Sequence, residues 1–169
     1  RGYRAVNLGV HLFCALLLFI VVRNTLLSSA FAGRYLTTAD SLAFAIALIW
    51  LVHPLQTQCV NHTIQRSTSL MAFFYLLTIW CVQVGGEKLA WHVLAVGACG
   101  LGMGSKEAMV TAPIAVLLYD RTFLAGSFRK AWEIRWRLYL GLAGSWFFLA
   151  FLMRSSPHGK SINLSEPYI

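Results

Sequence analysis

Acidic residues are scarce. The 169-residue chain holds six Asp and Glu against 14 Lys and Arg, and charged residues of both signs make up only 12% of it. Soluble globular domains carry about 25%, so an ordinary water-soluble protein is excluded. The shortage also leaves no pair of carboxylates placed for acid–base catalysis. Four cysteines, at 14, 59, 81 and 99, include no C-x-x-C step and no dense disulfide framework. At least three lie in apolar segments, where they read as packing residues. Zinc, nucleotide and nucleophilic-triad motifs are all missing. The glycine-rich stretch Gly97, Gly100, Gly102, Gly104 lacks the G-x-G-x-x-G order and follows no strand, which leaves close helix packing as its expected role.

What the chain has is apolar length, 58% of all residues. A bilayer core takes about 20 apolar residues per helix, with roughly 17 to 25 tolerated. Measured against that, the sequence predicts an all-α, polytopic membrane helix bundle with about six transmembrane helices, at 3–22, 38–52, 68–84, 89–104, 108–119 and 136–153. Residues 89–119 are too long for one span and are divided at Ser105-Lys106-Glu107. Residues 1–154 then form the transmembrane domain, and 155–169 begin an outer loop. The chain opens on Arg1-Gly2-Tyr3-Arg4 without an initiator Met and reads as a fragment.

Orientation follows from the loops, since Lys and Arg are retained on the cytoplasmic side. The stretch after the fifth span holds Arg121, Arg129, Lys130, Arg135 and Arg137, the largest basic cluster in the chain. Setting it inside puts Arg23, Arg34 and Lys88 inside too, eight basic residues against six outside, and leaves both ends facing outward. The +8 net charge thus marks cytoplasmic loops and not a nucleic-acid surface.

Ionisable groups at membrane depth cost about 2.5 to 3.5 kcal/mol each on insertion scales, so each needs a partner or a task. One polar cluster runs from His53 to Ser69 between the second and third spans; a second, Ser105-Lys106-Glu107, is expected on the same outer side. Arg66 and Lys106 could converge there on one anion, with Glu107 holding Lys106 while His53 and Asn61 supply hydrogen bonds. A lipid-linked phosphate is such an anion, because Arg offers a planar fork and Lys a point charge to its oxygens. The competing account is plain: loops are polar, and Lys106-Glu107 is a self-neutralising pair at a helix end. His11 and His92 lie within spans, where a neutral imidazole either ligates haem or a chlorophyll-type pigment or, more commonly, hydrogen-bonds a neighbouring helix.

The phrase H-P-L-Q-T-Q-C-V-N-H-T-I-Q-R-S-T-S-L-M-A-F-F-Y-L-L, from His53, resembles the H-P-x-x-T-[EQ]-x-V…R…L…F-Y-L-L block of the transmembrane-and-tetratricopeptide-repeat proteins, the bacterial branch above all. Asn7 and His11 (N-x-x-x-H), S-K-E-A-M-V-T-A-P-I-A-V-L-L-Y-D at 105–120 and W-R-L-Y-L at 136–140 extend the resemblance over nearly the whole chain. It implies a GT-C-type membrane glycosyltransferase that takes a sugar from a polyprenyl-phosphate donor and passes it to a protein or glycan acceptor on the periplasmic face of the bacterial inner membrane. It also implies a catalytic acidic residue in the first outer loop, ahead of Arg1, and tetratricopeptide repeats beyond the membrane domain. Gln58 stands where many eukaryotic relatives have Glu. No metal or cofactor is required by the residues present; the lipid-linked sugar phosphate is the donor substrate, and membrane lipid surrounds the chain. The rival expectation is a non-catalytic membrane subunit of a larger complex, holding haem or pigment through His11 or His92.

Overall fold

A computed structural model of the chain describes residues 2–54 and 66–155, and among these there is no β-strand. The helices are α1 (Gly2–Leu26), α2 (Ala39–Val52), α3 (Arg66–Gly85), α4 (Leu89–Ser105), α5 (Ala112–Tyr119) and α6 (Phe128–Ser155). Short 3-10 segments occupy Ser29–Phe31 and Glu107–Thr111, and a π-helical turn, Asp120–Ala125, continues α5.

Local chemistry explains where the helices stop. Gly86 and Gly126 take positive φ (+53° and +74°), which closes α3 and the π turn. Lys106 is extended (φ −160°, ψ 140°) and ends α4. Pro113 sits in the first turn of α5, where its missing N–H leaves no bond unmade. Three stretches are long and apolar enough to cross a membrane, Ala5–Leu26, Ser67–Gly85 and Glu107–Ala125, and they mark an integral membrane protein. The third unites the 3-10 segment, α5 and the π turn in one apolar rod. With 14 and 17 residues, α2 and α4 reach about 21 and 26 Å at 1.5 Å per residue, short of the roughly 30 Å hydrocarbon core.

The segments expected from apolar runs coincide with helices, with one sizeable departure. The basic stretch read as a loop up to Arg135 is helical from Phe128, and α6 instead kinks at Arg135, whose φ/ψ of −125°/28° are not helical. A strongly charged helix defeats a reading based on apolar length, because its propensity is good although its hydropathy is not. The polar connector is likewise shorter than expected, since Arg66–Ser69 already form the first turn of α3; residues 55–65 lie outside the described residues.

In lipid there is little hydrophobic drive between helices, so association depends on close packing. α3 lies between α1 and α4; α2 packs on α1, and α6 packs on α4 and α5. Ala39, Ala43 and Ala47 turn to α1 along one face of α2. Cys81, Val82, Cys99, Met109, Leu138 and Leu142 fill the centre. Cys14, Cys81 and Cys99 are all buried. Of the glycine-rich stretch only Gly102 serves a close approach: a Cβ there would lie 2.8 Å from Met109 Cε, while at Gly97, Gly100 and Gly104 it would meet nothing within 4 Å. The other tight contacts are at Gly141, where a Cβ would be 2.6 Å from Val96 Cγ2, and Gly85, 2.7 Å from Trp91 Cβ. Val96 is β-branched and yields little. Gly141→Ala is therefore expected to destabilise the bundle by about 1–3 kcal/mol, and Gly97→Ala to leave it unchanged or slightly more stable, as read by thermal unfolding in detergent.

Candidate functional site

The expected anion site lies where α3 begins and α4 ends. Lys106 leaves its extended backbone toward α3, and its Nζ donates to Thr68 Oγ1 at 2.9 Å. An ammonium has three donors; Thr68 takes one. Arg66, two residues before Thr68, is the first residue of α3, so the positive end of the α3 dipole adds to the same neighbourhood. Glu107 does not brace Lys106. Among the described residues the ion pairs are Arg23–Asp40, Arg129–Glu133 and Arg135–Asp120, and Glu107 opens the following 3-10 segment as an exposed side chain. Neighbouring side chains leave an extended backbone on opposite sides, which separates the two. His53 closes α2 in an extended conformation and is exposed; α2 packs on α1, with α3 between α1 and α4. Asn61 and Gln58 lie outside the described residues.

The histidines of α1 and α4 tie structure together. His11 Nε2 lies 3.2 Å from the Leu51 carbonyl, and its ring stacks on Trp50 with centroids 4.8 Å apart. His92 Nε2 lies 3.1 Å from the Gly86 carbonyl. A carbonyl only accepts, so in both bonds Nε2 carries the proton. Each ring is engaged by a backbone carbonyl, His11 by that of the neighbouring α2 and His92 by that of the turn before α4. No group of three His, Cys, Asp or Glu able to hold a metal occurs among the described residues.

The densest polar construction is at the opposite end, where α3 finishes and α4 and α6 start. Asp120, wholly buried at the head of the π turn, receives Arg135 Nη1 on one carboxylate oxygen and the Tyr139 hydroxyl on the other. Arg135 Nε donates to the Gly86 carbonyl at 3.1 Å, the same oxygen that His92 approaches. One carboxylate, one guanidinium and one carbonyl thereby join four segments. A second knot lies at that end. Gln83 Nε2 reaches the Val21 carbonyl (2.9 Å) and the Tyr119 hydroxyl (2.6 Å), and Gln83 Oε1 accepts from Asn24 Nδ2 (3.3 Å). Thr25 gives its proton to Val21 O (2.6 Å), so the Tyr119 phenol donates in the 2.6 Å Tyr119–Thr25 contact.

Sequence reasoning missed both knots. Their one visible signal is an acid directly after an apolar helix, Tyr119-Asp120, with an arginine fifteen residues on; nothing in that spacing reveals the hinge that folds one back on the other. No family model, curated protein or solved structure matches the chain.

Removing one partner of a buried ion pair strands the other charge, at a cost of about 3–5 kcal/mol. Asp120→Ala is expected to lower stability by that amount in detergent unfolding. Asp40→Ala, which breaks a pair whose side chains are 42% and 70% exposed, should cost under about 1 kcal/mol.

Proposed function

We propose that this chain is membrane domain of a bacterial GT-C-type glycosyltransferase, with Arg66 and Lys106 receiving the phosphate of a polyprenyl-phosphate sugar near the periplasmic surface and His53 and Asn61 donating hydrogen bonds. Six spans cross the inner membrane in this reading. The bond that breaks joins the sugar's anomeric carbon to the lipid phosphate, so negative charge grows on the leaving phosphate, and cations fixed beside it favour that change over the ground state. The acceptor takes the sugar on the outer side.

The observation that supports this most directly is the seating of Lys106 on Thr68. It sets a cation with donors to spare against the helix turn that Arg66 opens. The alternation of helix ends supports the six-span path. The starts of α3 and ends of α4 share one end; the ends of α1, α3 and α5 and the starts of α4 and α6 share the other.

Arg66→Ala and Lys106→Ala should each reduce transfer about ten- to a hundredfold, the loss of a charge-assisted hydrogen bond worth roughly 1.5–3 kcal/mol. Arg129→Ala, whose partner is Glu133 in a solvated helical turn, should stay near wild type. Arg66→Lys should recover only part, since an ammonium cannot reproduce a bidentate fork. The measurement is sugar transfer from a polyprenyl-phosphate donor in membranes holding the full-length protein at matched expression. Equal activity of Lys106→Ala and wild type removes Lys106 from the site. Topology has its own check: in a Cys59→Ser background, Ser127→Cys, beside the left-handed Gly126, should react with a membrane-impermeant maleimide from the cytoplasmic side alone, and labelling from the periplasm would invert the assignment.

A further inference from the structure

The start of α6 is unlike the rest of the bundle. Phe128 and Trp132 lie one turn apart on the same side of the helix and Trp136 follows just past the kink; they stand 45%, 53% and 45% exposed and make an aromatic stripe at the start of α6. Beside it run the exposed Arg129, Lys130 and Arg137, and Arg121 from the preceding turn covers the Phe128 ring at 4.2 Å. Arg137 lies over Trp136 at 5.4 Å. Against these four cations the segment exposes one acid, Glu133, which Arg129 holds. The nearby α3–α4 turn adds Glu87 and Lys88, one charge of each sign. Ala131 is buried and faces the bundle, so the segment has an inner side, an aromatic side and a basic side.

The kink lies where these properties change. At Arg135 the backbone leaves helical φ/ψ, and the helix beyond it, from Leu138, turns apolar residues to the core. Arg135 itself is withdrawn from the basic surface by Asp120 and Gly86, and Trp132 is stacked on Tyr139 with centroids 5.8 Å apart and rings 3° from parallel. The bend is therefore held on both sides, by an ion pair within and an aromatic stack without. A short helix with Trp and Phe on one side and Lys and Arg beside them belongs at a membrane surface, its rings at headgroup depth and its cations among phosphates.

We propose that the first two turns of α6 rest in the membrane surface and that Arg121, Lys130 and Arg137, with Arg129 at the margin, bind the headgroup phosphate of anionic phospholipid. Charge complementarity selects that occupant: the aromatic stripe suits any bilayer surface, whereas four exposed cations against one acid favour a net negative headgroup over a zwitterionic one. The site is at the end of the bundle opposite Lys106 and is independent of the glycosyl-transfer reading.

The test is native mass spectrometry of the detergent-purified full-length protein, titrated with dioleoylphosphatidylglycerol or dioleoylphosphatidylcholine at equal concentrations. Wild type should retain phosphatidylglycerol in preference. A basic side chain near an anionic surface contributes about fivefold in affinity, so Lys130→Gln and Arg137→Gln should each lower that preference about fivefold, whereas Lys130→Arg should keep it. Arg154→Gln, exposed near the far end of the same helix, should also keep it. Equal retention of the two lipids by wild type overturns the proposal without any variant. So does an undiminished preference in Lys130→Gln and Arg137→Gln, or an equal loss in Arg154→Gln, which would mean that net charge alone is being read.

Discussion

A single buried carboxylate holds the back half of this protein together. Asp120 stands at the seam between α5 and α6, with no solvent of its own, and it takes both of the polar groups that α6 brings to that depth. A charge in that position is tolerable only when paired and fully hydrogen-bonded. Arg135 satisfies that condition and also donates its Nε–H to the Gly86 carbonyl, so the carboxylate is linked, at one remove, to the turn between α3 and α4. The kink in α6, the place of Tyr139 and the seat of His92 all follow from where this one negative charge is.

The two ends of the bundle differ accordingly. At the end with Asp120, the inward-facing polar side chains are consumed by one another: Gln83, Thr25, Tyr119, Asn24, Arg135 and His92 all bind other parts of the chain, and the exposed cations lie outside this knot. At the other end Lys106 is tethered by one bond and keeps donors in hand. A rigid base under an incompletely used cation suits binding, because the cation's position is set by the helices and not by the ligand.

The all-helical character of the described residues, and the presence of apolar helices long enough to cross a membrane, could be read from the sequence, since long apolar runs bounded by Gly, Lys106 and polar connectors are what bilayer thickness demands. The start of α6 could not: Arg129, Lys130 and Glu133 lower its hydropathy without lowering its tendency to form a helix. Glycine roles were misassigned for a related reason. G-L-G-M-G looks like a packing motif, but only Gly102 of that run meets a neighbouring side chain, whereas the isolated Gly141 and Gly85 meet Val96 and Trp91 more closely. Proximity of that kind depends on the rotation of each helix about its axis, which composition does not encode. The long-range bonds were hidden because each joins residues from different elements; Lys106–Thr68 spans 38 positions and Gln83–Val21 spans 62. The expected partnership of Lys106 with Glu107 rested on adjacency, and adjacency is the wrong geometry in an extended backbone.

The α1–α2 pair has a consequence for the order of assembly. It is clasped at both ends by its own residues: Arg23 and Asp40 meet at the turn, and His11 joins Leu51 and Trp50 at the open end. Between the clasps, the buried residues of α2 are the alanines Ala39, Ala43 and Ala47, which lose no rotamer freedom on contact. Both clasps are made by residues ahead of Pro54, while α3 adds to α1 its own bonds, such as Gln83 to Val21. The polar contacts that close the pair are thus all available before any of α3 has been made.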